Sequence, residues 1–328
     1  MTAWLAALLL GAAPDAGSPA GWSLPAARPC TAAELDGLTA DAATPYRLIC
    51  RAVLSPGQAI KRPLLIEGAE ASGAGLDCRG ASVGQPGAAT TTRQPTIAIW
   101  SRRITAEHWS RPTDIRIENC MIHGAVRVWG MGADGGYDDL RASSRTARHI
   151  ATTQGAAPSH ITMDRVTIVG TGSIPLYVGP GVTSLSLTHS ALSGRSDATA
   201  LYLDAESADN VIENNTIAVA TRREAVAVDG SASNRITGNR FTLGGRGGIF
   251  LYRNCGERGV IRHQTPSGNQ IMDNVFAGAA RLRPRLVVVG SREGRRAYCG
   301  ADRGYPWGSS ADDGDGATNN VVARNTRR

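Results

Sequence analysis

The sequence predicts an all-β protein: a right-handed, single-stranded parallel β-helix, a solenoid with a short N-terminal capping helix. Two observations carry this. A pattern of apolar residue, two spacers, Asn, one spacer and apolar residue recurs about every 24 residues, and glycine is abundant at 39 of 328 residues while aromatics are scarce at 5%. Many short strands joined by turns fit that balance better than a helical bundle does.

The clearest copies are Asn210-Val-Ile-Glu-Asn-Asn-Thr-Ile217, Asn234-Arg-Ile-Thr-Gly-Asn-Arg-Phe241 and Asn269-Gln-Ile-Met-Asp-Asn-Val-Phe276, with a shortened copy at Asn320–Asn325. Weaker copies keep Ile117, Cys120 and Ile122, then Met163, Val166 and Ile168, then Leu187, Ser190 and Leu192. The first apolar positions fall at 117, 163, 187, 212, 236, 271 and 322. Four of the six intervals are one or two turns of a coil, and the last two carry insertions. A single turn cannot bury its apolar face, whereas stacked turns share one core. Asn215, Asn239, Asn274 and Asn325 should then form a column at one corner, where Asn tolerates a left-handed turn and side-chain amides bond along the stack.

These residues resemble the parallel β-helix repeats of the pectin-lyase-like superfamily and of NosD-like periplasmic proteins, over about residues 60–328. The resemblance implies the fold. It implies no single activity, since that superfamily includes lyases, hydrolases, epimerases, esterases, tailspikes and adhesins.

The front of the chain reads as a signal peptide over residues 1–20. The apolar run Trp4–Ala13 is too short to span a bilayer, and Ser18-Pro19-Ala20 suits cleavage before Gly21. Residues 21–59 read as an N-terminal cap, with a capping box at Thr31-Ala-Ala-Glu34 opening a helix to about Ala40. The coil should occupy residues 60–328. Six cysteines suit an oxidising compartment, secreted or periplasmic, and none forms a Cys-x-x-Cys pair, which argues against zinc. Their pairing is open at this stage; Cys255 and Cys299 lie in two late insertions and suit one another. No membrane span is expected in the mature chain.

Net charge is +7, and Lys61 is the only lysine among 35 basic residues. No zinc finger or RNP sequence accompanies the arginines, so no nucleic-acid partner is expected. Arginine forks onto carboxylates, which makes an acidic polysaccharide or oligosaccharide the better partner.

A second strand precedes each motif: Leu176–Gly179, Leu201–Asp204, Val226–Asp229, Ile249–Tyr252 and Leu286–Val289. Period-two alternation places Leu201, Leu203, Val226, Val228, Ile249 and Leu251 inside. Tyr177, Tyr202, Phe250, Asp204, Asp229 and Tyr252 then face outward. Asp204 and Asp229 should stand one above the other at the inter-strand distance. Stacked carboxylates suit an acid/base pair on a sugar chain or a Ca²⁺ site, unless each merely ends its strand. Basic groups gather nearby: Arg222, Arg223, Arg246, Arg253, and in the insertion Arg253–Gln264 also Arg258, Arg262 and His263.

From these residues we expect an exported carbohydrate-active protein acting by β-elimination or C5 epimerisation. Arg253 and Arg223 would neutralise a uronate, His263 and Tyr252 would exchange protons, and Asp204, Asp229 and Tyr202 would hold substrate or Ca²⁺. The alternatives are a glycoside hydrolase using Asp204 and Asp229, and a non-catalytic glycan-binding or structural solenoid. Tyr305 and Trp307 are further candidates for stacking on sugars, Asp312–Gly316 reads as a flexible polar turn, and the other five histidines show no comparable setting. The segment Gly130–Pro158, weak in apolar periodicity, reads as an excursion that could overhang the groove.

Overall fold

A computed structural model describes residues 28–133, 135–244, 247–278, 283–294 and 300–328. The leader assigned to residues 1–20, Arg246 and Cys299 lie outside them. Each turn of the coil gives one strand to each of three parallel sheets. The turn made of Leu201–Leu203, Val211–Glu213 and Thr216–Ile217 stacks on Leu176–Val178, Thr183–Thr188 and Ala191–Ser196. It is covered in turn by Val226–Asp229, Arg235–Thr237 and Arg240–Leu243.

Stacking is residue upon residue, Leu201 over Val226 and Leu203 over Val228, so like side chains form columns. Leu176, Leu201, Val226 and Ile249 are all fully buried in one continuous core. Phe241 and Phe276, in register on adjacent turns, stack at 4.7 Å. Because neighbouring turns supply each other's burial, stability is local and passes from turn to turn.

The expected asparagine column is present, and a second runs beside it. Asn215 Nδ2 donates to Asn239 Oδ1 (3.0 Å), Asn239 Nδ2 to Asn274 Oδ1 (3.0 Å) and Asn274 Nδ2 to Asn325 Oδ1 (2.9 Å). Five residues earlier, Asn210, Asn234, Asn269 and Asn320 repeat the arrangement at 2.9, 2.7 and 3.0 Å. The left-handed residue, however, is the one before each amide. Asn214, Gly238, Asp273 and Arg324 take φ between 54° and 67°. The amide thus sits just past the bend and turns inward to satisfy backbone groups, which a left-handed residue pointing to solvent would not do.

The capping box forms: Thr31 Oγ1 accepts Glu34 N (3.3 Å) and Glu34 Oε2 accepts Thr31 N (2.8 Å), opening the helix Ala32–Thr39 with Leu38 buried. The cap is shorter than residues 21–59. Tyr46–Arg47, Arg51–Val53 and Ala59–Ile60 already pair with the next turn, so the coil starts at Tyr46. Those strands are two or three residues long, too short for alternation to show in sequence. Disulfides join Cys30 to Cys50, tying cap to first turn, and Cys78 to Cys120. Cys255 is buried and disulfide-bonded. No helix among the described residues is long and apolar enough to cross a membrane.

Gly130–Pro158 is a folded excursion. It holds two helices, Asp138–Ser144 and His149–Ala156, that pack through Leu140 and Ala156 against Val260 of the late insertion. Together they roof the outer face of the first sheet.

Candidate functional site

Alternation places Tyr177, Tyr202 and Tyr252 on the outward side of the first sheet, and Asp204 and Asp229 follow the same rule. These side chains meet a roof instead of water. Ser144 Oγ accepts Ile261 N (3.0 Å), His263 Nε2 donates to Ser144 O (2.7 Å), Gln154 Nε2 donates to Glu206 O (2.9 Å), and Ser309 Oγ accepts Arg262 N (3.0 Å). Three segments distant in sequence therefore close over two consecutive turns.

Beneath them each tyrosine donates to a carboxylate of the next or preceding turn: Tyr177 to Asp204, Tyr202 to Asp229 Oδ2 (2.5 Å) and Tyr252 to Glu224 Oε1 (2.8 Å). Burial, with the neighbouring carboxylates, holds all three phenols well above their ordinary pKa. They keep their protons and serve as donors, never as bases, at neutral pH.

Asp204 and Asp229 do stand on adjacent turns, and a cation lies between them. It is the guanidinium of Arg262, bonded to Asp204 and 4.0 Å from Asp229 Oδ2. Burial opposes the Arg262 charge, but the two carboxylates outweigh it and hold the group protonated. Asp229 is pushed upward by burial, against the pull of Arg262.

A Ca²⁺ ion does not fit between Asp204 and Asp229, which corrects that expectation. Ala205 N (2.8 Å), Arg262 and Tyr177 take the Asp204 oxygens; Asn254 N (2.7 Å), Asn254 Nδ2 (2.6 Å) and Tyr202 take those of Asp229. An ion needs oxygen donors, and this pair is ringed by N–H and O–H groups. Asp229, with no exposed surface and no place in the lining of the cavity beside Asp204, is also out of reach as half of a hydrolytic pair. Among the described residues the grouping of ligand-type side chains at Cys30, Glu34 and Cys50 consists of a disulfide and a carboxylate paired with Arg28.

Other expected roles change too. Tyr252 is 1% exposed and held by Glu224 and by Arg223 Nη2 (2.9 Å), so it does not face a substrate, whereas the Arg223 side chain keeps 37% of its surface open. Arg253, 3% exposed, is spent on Asp312 (2.9 Å). Asp312–Gly316 is correspondingly no loose turn: buried Asp315 accepts the backbone N–H groups of Arg253 (3.0 Å), Arg292 (2.8 Å) and Glu293 (3.0 Å). Tyr305 lies under Arg145 at 5.6 Å and Trp307 stacks toward His263 at 6.3 Å, both half-buried within the roof. His263 is half-buried; burial lowers its pKa, and its bond to Ser144 O fixes the proton on Nε2. Tyr202 is buried in the tyrosine column.

What remains open is a cavity of about 100 Å³ between roof and sheet, bounded by Tyr137, His149, Tyr177, Asp204, Glu206 and Arg262. Exposed Arg258 lies at its rim, 4.2 Å over the Tyr137 ring, and Trp129 meets Tyr177 edge-on at 5.5 Å. Glu206 and His149 were not legible as a pair. Glu206 Oε1 accepts His263 N (2.8 Å), Oε2 accepts Gln264 N (3.0 Å), and His149 Nε2 stands 3.8 Å away. Burial lowers His149 to about 3, so it is neutral and the contact is not an ion pair. Burial raises Glu206 to about 7 despite the two backbone donors.

That shift has a measurable consequence. The folded-state value lies above the ordinary 4.5, so the folded chain holds this proton more tightly than the unfolded one. The penalty for ionising Glu206 is absent below about pH 4.5 and grows toward roughly 3 kcal/mol as pH rises through 7. Comparing wild type with Glu206→Gln by urea unfolding from pH 5 to 8 should show wild type losing stability relative to the variant. A constant difference across that range would place the Glu206 pKa near its ordinary value.

The class defined by these features is a parallel β-helix with a roofed polar cleft on one sheet. Residues 106–282 match the model of the right handed beta helix region, and the chain belongs to that family. No curated protein matches it. Similar solved structures include an alginate lyase from Paenibacillus sp. str. FPU-7, 10% identical over 75% of this chain and 88% of that one, with a TM-score of 0.29. A mutant periplasmic alginate epimerase is 10% identical over 88% and 79%, with a TM-score of 0.25. The A-module of a mannuronan C-5 epimerase from Azotobacter vinelandii is 10% identical over 90% and 91%, also at 0.25. At such similarity they bear on neither substrate nor site.

Proposed function

We propose that the protein is an exported carbohydrate-active β-helix that acts on an acidic polysaccharide by β-elimination or C5 epimerisation. The observation that carries this reading is the cleft, where aromatic rings, an exposed guanidinium and groups able to hold or release a proton converge. Trp129, Tyr137 and Tyr177 line it with aromatic surface of the kind that packs against sugars. Arg258 at the rim would neutralise a uronate carboxylate, which eases loss of the C5 proton. Glu206, poised near neutral pH, suits the base, and the phenol of Tyr177 suits the donor that protonates the leaving oxygen or returns a proton to C5. Two disulfides support export.

Incubation with alginate, pectate and glucuronan, following ultraviolet absorbance of new unsaturated ends and deuterium entry at C5, tests the proposal. Tyr177→Phe should lower kcat by about 10²–10⁴-fold with KM nearly unchanged. Neither signal on any polyuronate would defeat it. A second reading, a glycan-binding solenoid without turnover, is favoured by the burial of Glu206, both of whose oxygens already accept backbone N–H groups. Binding of a polyuronate without either signal would select it.

A further inference from the structure

Three arginines packed against the outer face of the first sheet are matched to carboxylates: Arg262 to Asp204, Arg223 to Glu224, Arg253 to Asp312. Arg127 has no such match among the described residues. It alternates outward between core residues Val126 and Val128, flanked in register by Ala98 and Tyr177. It is 3% exposed, and its charge faces only tyrosine rings among the described residues, Tyr177 at 4.8 Å; its Nε has no partner, as is also true of Arg253 and Arg262, but here no carboxylate offsets the charge.

Two positions on, Trp129 and its register partner Trp100 turn the same way, and each indole Nε1 is likewise buried without an acceptor. Three neighbouring side chains thus carry orphaned N–H donors with no acceptor in reach. A folded protein rarely leaves buried donors unsatisfied, and an unpaired buried charge is costlier still. The location is informative. Trp100 and Ala98 line a cavity of about 450 Å³ beneath residues 84–96, and Trp129 and Tyr177 line the cleft beside Asp204. Arg127 lies in register between Ala98 of the one lining and Tyr177 of the other.

We propose that Arg127, with Trp100 and Trp129, forms an oxyanion subsite that takes the carboxylate, or an equivalent sulfate ester, of a sugar unit lying between the two cavities. A guanidinium grips an oxyanion through parallel N–H donors, the indole N–H groups add to it, and the indole faces receive the ring. The subsite rests on the reading of the protein as a receptor for acidic glycans, and not on turnover.

Triuronates of galacturonate, glucuronate and mannuronate, their methyl esters and a sulfated galactotriose are titrated against the whole protein by tryptophan fluorescence. At least one charged trisaccharide should bind and its uncharged form should not; preference for the sulfated probe assigns the oxyanion to a sulfate ester. Arg127→Met should weaken that binding by tenfold or more while Tm holds or rises, because an unpaired buried charge has been replaced by an apolar chain of similar length. Equal binding of charged and methyl-esterified forms, or a fallen Tm with unchanged affinity, overturns the subsite. Binding that depends on Arg127 without turnover keeps the subsite and discards catalysis. Turnover whose KM ignores Arg127→Met discards the subsite alone.

Discussion

Replacing Arg262 with methionine should destabilise the protein by about 3–5 kcal/mol, the cost of leaving buried charges without their partner. Arg262 is the only guanidinium within 4.0 Å of both Asp204 and Asp229 among the described residues, and its loss leaves two carboxylates on adjacent turns facing one another. The pH dependence should change as well. Without the cation, the raised pKa of Asp229 rises further, so the variant should recover stability as pH falls from 7 toward 4 and the pair takes up a proton. Asp229→Asn added to Arg262→Met should restore part of the loss, since the amide removes the repulsion and the two sites share one network. Urea unfolding of the three variants measures this. A loss under about 1 kcal/mol for Arg262→Met would mean that water, and not Arg262, screens the pair.

Why Arg262, and not Arg253 or Ca²⁺, fills that place shows where sequence reading stops. The repeat places Leu201 over Val226 because identical hydrogen-bonding geometry recurs at each turn, and side chains obey alternation whatever lies outside. The same logic puts Asp204 above Asp229, as an acid/base pair or a Ca²⁺ site. It has no purchase on the insertion 253–264, where no period applies. Nor does it reach across the 119 residues separating Ser144 from His263, whose contact builds the roof. His149 gives no signal for that reason: nothing near it in sequence shows that its helix docks beside Glu206. Alternation tells outward from inward but not outward from wet, and for Tyr252 and Asp229 the roof separates the two. The left-handed bend falls one residue before the place that the preference of Asn predicts, because inward hydrogen bonding needs the amide just after it.

Asn239→Ala should cost about 3–5 kcal/mol, far more than an ordinary polar truncation. Asn239 Oδ1 accepts both Asn215 N and Asn215 Nδ2 (3.0 Å each), and its Nδ2 donates to Ile212 O (2.8 Å) and Asn274 Oδ1 (3.0 Å). Alanine leaves three of those groups, Asn215 N, Asn215 Nδ2 and Ile212 O, buried without this partner, each worth about 1–3 kcal/mol when unsatisfied, with Asn215 Nδ2 still bonded to Leu187 O and so at the low end. Asn325→Ala, at the open end of the same column, should cost only about 1 kcal/mol, because Asn325 is half-buried and water can replace it. Since each turn is stabilised by its neighbours, the Asn239 damage should also be confined. Hydrogen exchange should quicken in the turns holding Asn215, Asn239 and Asn274 and stay unchanged from Tyr46 to Val83. Equal costs at the two positions, or faster exchange throughout the coil, would show that the column acts through global stability and not as a clamp between adjacent turns.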